Sequence, residues 1–321
     1  MELNKGQGGN RQNQGYILIL MAGILWGSIG IFVNLLKEMG VDTATIAFLR
    51  LFCGWSLLLP ILLVLYGRKA FAVDKTTLFY CVLSGLFSQA LFNFSYNVSI
   101  EKVGMATGCI LLYTAPIFVT LMSRMVFGEE IGARKLAALA VNVAGCILTV
   151  TGGNFSEVRF SAVGVAAGIA AGFFYALMTI FGQKMSGKCL PLTITFYSFL
   201  TGWAVMLFLA RPWQCEALAA ALQFKGTDSP VLLLTALGYG LIPTVGSYFC
   251  YMKGLSMNLE TSKVPVVASV ETVVAAFAAL LLFQEPLGAG KVAGIALVLA
   301  SIAIMNAEGK QTGGKSVDKK A

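Results

Sequence analysis

Ten apolar runs, each near the 20 residues needed to cross a lipid hydrocarbon core, follow one another along this 321-residue chain and constrain what it can become. They lie at about 16–36, 43–66, 76–98, 105–127, 133–151, 161–182, 191–210, 231–252, 262–283 and 289–306. At about 1.5 Å per helical residue, each reaches across a core of about 30 Å. Composition rules out the alternative of a large soluble domain: 57% of residues are apolar and 12% charged, against roughly half and a quarter in soluble proteins. Most runs also lack the polar face that a water-exposed helix shows. The expected fold is an all-α integral membrane protein of ten transmembrane helices. The polar stretches 1–15 and 307–321 read as disordered cytoplasmic tails. The first lacks the apolar core and small-residue cleavage site of a signal peptide.

Lysine and arginine set the orientation, because cytoplasmic loops carry the excess. Of the 23 such residues, fifteen fall on one set of loops and tails, including Arg68, Lys69, Arg134, Lys135, Lys184 and Lys188. Six fall on the other, namely Lys37, Lys102, Arg159, Arg211, Lys225 and Lys291, while Arg50 and Arg124 lie within spans. Both termini are therefore expected in the cytoplasm. The net charge of +8 is a topology signal concentrated on one face, and no nucleic-acid partner is expected.

The chain repeats itself. Thr45–Trp55 (TIAFLRLFCGW) resembles Thr193–Trp203 (TITFYSFLTGW), 148 residues on, each opening the second helix of its half. Ala22-Gly23 with Trp26 matches Ala171-Gly172 with Tyr175. Gly85-Leu86 with Phe94 and Tyr96 matches Gly240-Leu241 with Phe249 and Tyr251, and Phe127-Gly128-Glu129 matches Phe283-Gln284-Glu285. Four matches in order define two five-helix halves, 16–151 and 161–306. An odd number of spans inserts the second half upside down. Such inverted repeats are common in secondary transporters, with binding near the midplane between repeats.

The chain has no histidine, which removes the commonest general base and metal ligand. Cys53, Cys81, Cys109, Cys146 and Cys250 sit inside apolar runs without the spacing of a disulfide framework or metal site. With no phosphate-binding loop either, an enzyme is not expected, and neither is a cofactor or metal. A receptor or scaffold would not need an inverted repeat.

The two copies, the glycine and Trp26 of helix 1, Arg50 in helix 2, Pro116 in helix 4 and the Glu129 and Glu285 junctions carry a resemblance to the drug/metabolite transporter superfamily, EamA type, from about Tyr16 to Asn306. The resemblance implies export or exchange of small metabolites, often amino acids, across a bacterial cytoplasmic (inner) membrane. Broad drug efflux and nucleotide-sugar exchange stand as alternatives. Its partners would be a small-molecule substrate and the bilayer. Helix 9 has Thr272 where helix 4 has Pro116, a departure from mechanical equivalence of the halves.

An ionised group at mid-bilayer costs about 2.5–3.5 kcal/mol on insertion scales. Arg50 lies about 10 Å from the outer end of helix 2, and Glu271 about 13 Å from the inner end of helix 9. The register places Ser198 opposite Arg50 and Ala115 opposite Glu271, so the shared architecture requires neither charge. Two readings stand: they meet the two ends of a zwitterionic substrate or pair with each other, or Arg50 snorkels and Glu271 is a structural partner. Arg124, Lys253 and Lys263 read as snorkelling groups near inner ends. In helix 3, Gln89, Asn93, Tyr96 and Asn97 share one helical face, and in helix 8 Thr244, Ser247, Tyr248 and Tyr251 do the same. Both stripes line a central cavity or bond neighbouring helices. Trp26, Tyr175 and Tyr113 sit too deep for an interfacial belt, and either face substrate or pack. The expected substrate-binding set is thus Trp26, Arg50, Gln89, Asn93, Tyr96, Tyr113, Tyr175, Thr244, Tyr248 and Glu271.

Overall fold

The computed structural model describes residues 3–156, 160–225 and 229–307. Among the described residues, ten helices long and apolar enough to cross a membrane run Arg11–Glu38, Thr43–Tyr66, Lys75–Val103, Met105–Phe127, Ala133–Thr151, Ala162–Met185, Pro191–Ala210, Ser229–Leu255, Thr261–Phe283 and Ala289–Asn306. These are helices 1 to 10. Turns separate most of them, with a short helix Glu216–Leu222 between helices 7 and 8, and local chemistry fixes their ends: Asp42 and Asp74 accept the Thr45 and Thr77 amides as N-caps of helices 2 and 3.

The first helical segment already begins at Leu3 and runs to Gly27, so part of the stretch expected as a disordered tail is helical. A long apolar helix extends through a polar segment that lacks proline, because each added residue gains one backbone bond on an existing nucleus. Gln12 Nε2 donates to the Asn258 carbonyl at 3.3 Å, tying this extension to the turn after helix 8. The expected tail at 308–321 lies outside the described residues.

The two halves are related by an inverted repeat, visible in contacts between repeat-mates. Trp55 and Trp203 meet with ring centroids 5.2 Å apart, which places helices 2 and 7 back to back. Gly85 of helix 3 presses on helix 7, where an added Cβ would strike the Ser198 carbonyl and Thr201. Its mate Gly240 of helix 8 presses on Cys53 of helix 2, and Cys53 is the mate of Thr201. Only a residue without Cβ permits either approach.

The mates also break alike. Helix 3 contains a π-helical stretch at Ser84–Leu91 and helix 8 one at Leu241–Gly246, within the same register window. In helix 8 the cause is Pro243, which lacks an amide proton and frees the Tyr239 carbonyl. Helix 4 divides into Met105–Leu112 and Ala115–Phe127, and helix 9 into Val264–Ala268 and Val270–Phe283. The register puts Ser269 on Tyr113, so the breaks coincide. Thr114 and Ser269 each turn a hydroxyl back onto the carbonyl three residues earlier, at 2.7 and 2.6 Å, a local bond that competes with the helical ladder. The expected departure at Thr272 therefore does not separate the halves at this point. Pro116 occupies the first turn of the segment it begins, where proline is tolerated, and helix 9 achieves the same break with serine. Helix 1 is interrupted at Ser28, immediately after Trp26 and Gly27, whereas its mate helix 6 is continuous over Ala162–Met185.

Candidate functional site

The breaks of helices 3, 4, 8 and 9 converge on a buried aromatic and polar cluster. Trp26 packs on Tyr175, Tyr248 and Tyr251, with centroids 6.3, 5.6 and 5.0 Å away. Gln89, on the π-helical stretch of helix 3, meets Tyr248 of helix 8: its Nε2 lies 3.1 Å and its Oε1 3.2 Å from the Tyr248 hydroxyl. Tyr251 and Thr179 share a hydroxyl contact of 2.6 Å. Trp26, Gln89, Tyr175 and Tyr248, named from the sequence, thus form one cluster, and Thr179 and Tyr251 complete it.

Arg50 projects from helix 2 beside Tyr239, Tyr248 and Tyr175. It is 8% exposed, and its Nε and Nη2 are buried with no hydrogen-bond partner. It does not snorkel. Among the described residues no carboxylate lies within 4.0 Å of it, so the expected pairing with Glu271 is not made in this conformation.

Glu271 stands in the first turn of the second segment of helix 9, where the helix dipole favours a carboxylate. It lines a cavity of about 20 Å³ between the breaks of helices 4 and 9, with Tyr113, Pro116, Tyr175, Pro265 and Ser269 on the walls. That volume suits about one water molecule. Tyr175 lies within electrostatic range of both Glu271 and Arg50. Tyr96 lies within range of Glu271, and its hydroxyl is 3.0 Å from Cys109 Sγ.

Two of the expected stripe residues have local duties. Thr244 Oγ1 donates at 2.8 Å to the Tyr239 carbonyl, the group that Pro243 frees. It is fully buried, and its hydroxyl repairs its own helix. Asn93 Nδ2 likewise donates to the Gln89 carbonyl one turn back in helix 3.

The sequence left Asn142 unnoticed. Its Nδ2 donates to Ser269 Oγ at 2.6 Å and Ser301 Oγ at 2.9 Å, fastening helices 5 and 10 to the break in helix 9. A lone asparagine in an apolar helix was the available signal.

A second polar assembly closes one end of the molecule. Glu129, after helix 4, accepts the amides of Thr261 and Ser262 at 2.6 and 3.0 Å and the Ser262 hydroxyl at 2.6 Å, capping the start of helix 9. Lys135 pairs with Glu260 at 2.7 Å and donates to the Glu130 carbonyl at 2.9 Å. Lys263 is 3% exposed and pairs with Glu260 at 2.9 Å, so it does not snorkel as expected. Burial pushes the Glu260 carboxyl up, but hydrogen bonds from Lys135 and Lys263 outweigh this and hold it below its usual 4.5. The register places Glu285 and Lys291 on Glu129 and Lys135. There the arrangement differs: Glu285 folds back onto Lys291 of its own half at 3.1 Å, exposed to solvent. The two halves are latched together through Glu129 and not through Glu285.

Comparison with known proteins agrees with this architecture. The model of the EamA-like transporter family matches residues 13–151 and again 162–307, the two halves found by internal comparison. An uncharacterized transporter of Archaeoglobus fulgidus is 30% identical over 90% of this chain and 95% of its own length. The uncharacterized inner membrane transporter YicL of Salmonella typhimurium is 23% identical over 93% of this chain and 97% of its own. The uncharacterized transporter YwfM of Bacillus subtilis is 25% identical over 91% and 93%. One crystal structure, 14% identical, superposes with a TM-score of 0.75 over 94% of this chain and 99% of that one, a likeness of fold alone.

Proposed function

The chain belongs to the EamA-like transporter family, and from that premise we propose that it is a secondary carrier that exports or exchanges small metabolites, amino acids or related compounds, by alternating access of its two halves. The observation that carries this reading is the coincidence of the breaks. Helices 4 and 9 divide at equivalent positions and helices 3 and 8 loosen at equivalent positions, all around one buried cluster. Irregular backbone at membrane depth is tolerated only where protein or a water-filled path satisfies it, and broken helices at a repeat interface suit a binding site between rocking halves. The aromatic walls and buried polar groups favour a small amphipathic substrate. The membrane is read as the bacterial cytoplasmic membrane, with both termini inside, on the bias of lysine and arginine and the inner-membrane designation of the Salmonella relative.

Counterflow tests the proposal. Proteoliposomes loaded with a mixed pool of amino acids, nucleotide sugars, lipophilic cations and neutral metabolites are given labelled members of the pool one at a time. Uptake of amino acids or their relatives against their own gradient is expected. Exchange confined to lipophilic cations or to nucleotide sugars replaces this substrate class with one of the alternatives, and absence of any exchange removes the carrier reading.

A further inference from the structure

We propose that Arg50 is a carboxylate socket: the substrate's anionic group supplies the counter-charge that no carboxylate of the protein provides to this buried guanidinium. The inference rests on the carrier reading for its biological sense and on Arg50's surroundings for its chemistry. Arginine cannot discharge at any accessible pH, and its planar fork matches a carboxylate through two parallel hydrogen bonds. Here Nε and Nη2 have no acceptor although the residue is 8% exposed. A buried donor left idle, and still more a buried charge left unpaired, is a cost that folded proteins ordinarily remove. Among the described residues, none of the ion pairs involves Arg50.

The neighbours define what fits. Tyr239 hydrogen-bonds the guanidinium, and Tyr248 and Tyr175 lie within electrostatic range of it; phenols hydrogen-bond such a group but do not neutralise it. Trp26 stands edge-on to Tyr175 and Tyr248, so an organic anion would carry its apolar part against aromatic walls. Nothing in this shell is an acceptor for an ammonium group except the Tyr oxygens and Gln89. Glu271 belongs to a separate cavity between helices 4 and 9, whose walls do not include Arg50. The substrate class is therefore small organic carboxylates, with the amine of an amino acid permitted and not required. The mate position is Ser198, whose hydroxyl donates to the Cys81 carbonyl at 3.4 Å, so the socket exists in one half only.

Matched pairs of ligands test this on the full-length protein in nanodiscs, read as ligand-induced shifts in melting temperature. The probes are leucine, phenylalanine and serine, the amide of each, and the amine-free acids 4-methylpentanoate and 3-phenylpropionate. Acids with and without the amine are expected to stabilise the protein, and the amides are not. Arg50→Lys should weaken the response about tenfold, since a point charge replaces a fork. Arg50→Gln and Arg50→Met should abolish it while leaving the empty protein as stable as wild type or more so, because removing a buried charge without a counter-ion outweighs the hydrogen bond to Tyr239 that is lost. A structural arginine gives the opposite result, a lower melting temperature in the empty variants, and that overturns the proposal. So does an amide as effective as its acid, or no response to any acid. Counterflow separates the two levels: exchange limited to compounds without a carboxylate leaves the carrier and removes the socket, whereas acid binding lost in Arg50→Gln without any exchange leaves the socket and removes the carrier.

Discussion

The one-sided latch gives the sharpest test of how the halves are held. Glu129→Gln keeps the size of the side chain and removes its charge. In the wild type two carboxylate oxygens accept the amides of Thr261 and Ser262, and one of them also takes the Ser262 hydroxyl. The amide has a single acceptor oxygen, so one backbone donor loses its partner and the other exchanges a charged acceptor for a neutral one. Hydrogen bonds to charged groups contribute about 1.5–3 kcal/mol and neutral ones about 0.5–1.5. Glu129 is half-buried, so water recovers part of the loss, and the net weakening is about 1–2 kcal/mol. At about 1.4 kcal/mol per factor of ten, local opening of the start of helix 9 becomes roughly five to thirty times more frequent.

Hydrogen exchange followed by mass spectrometry reads this directly: the peptide covering 256–268 should exchange faster by that factor in Glu129→Gln. The mirror substitution Glu285→Gln breaks only an exposed pair with Lys291, commonly worth 0–1 kcal/mol, and should leave the peptide covering 104–112 unchanged. Equal acceleration in both mirror peptides, or none at 256–268, would refute the claim that the halves are fastened at one end only.

Three further outcomes follow from the same contacts. Because the Glu260 carboxyl is held below 4.5, its contribution to stability is complete above that pH and lost as pH falls through the lowered value; the melting temperature should drop in that acid range, and Glu260→Gln should remove this dependence while lowering stability at neutral pH, where Lys135 and Lys263 lose their partner. Gly290→Ala would set a Cβ on the Gly152 carbonyl, costing about 1–3 kcal/mol, whereas Gly288→Ala meets open space and should leave the melting temperature unchanged. Topology reporters fused after Lys69, Lys135 and Lys188 should read cytoplasmic and those after Lys102 and Lys225 external, and a reversed pattern refutes the orientation drawn from charge.

What the sequence made legible follows from the range of each interaction. Spans depend on a solvent that acts on every residue alike, so runs of apolar residues mark them to within a few positions, as at Thr43–Tyr66 and Pro191–Ala210. Arg50 and Glu271 stood out for the same reason, as charges in hydrocarbon. The breaks were less legible because they arise from pairs of local groups. Pro243 causes one, but its consequence for Thr244 needs the carbonyl four residues before the proline to be traced. The π-helical stretch of helix 3 contains no proline at all, and Ser269 breaks helix 9 without one. Asn142 and the Glu129 latch depend on which helices become neighbours across the repeat, a long-range fact that periodicity within one helix does not encode. Glu129 and Glu285 marked the register correctly, yet identical residues at mated positions adopt different partners.

That last difference separates what the repeat determines from what it leaves to each half. Shared backbone features, the breaks at Tyr113 and Ser269 and the loosened turns of helices 3 and 8, are properties of both copies and belong to the fold. Arg50 against Ser198 and Glu271 against Ala115 are properties of one copy, and in the proposed carrier these unmatched residues are the ones that would tell the two ends of a substrate apart. The latch is matched in residue type and unmatched in contact: Glu129 crosses to helix 9 while Glu285 stays with Lys291. The halves are thus fastened across the repeat at Glu129, whereas the mated Glu285 and Lys291, with the same chemistry, pair within their own half.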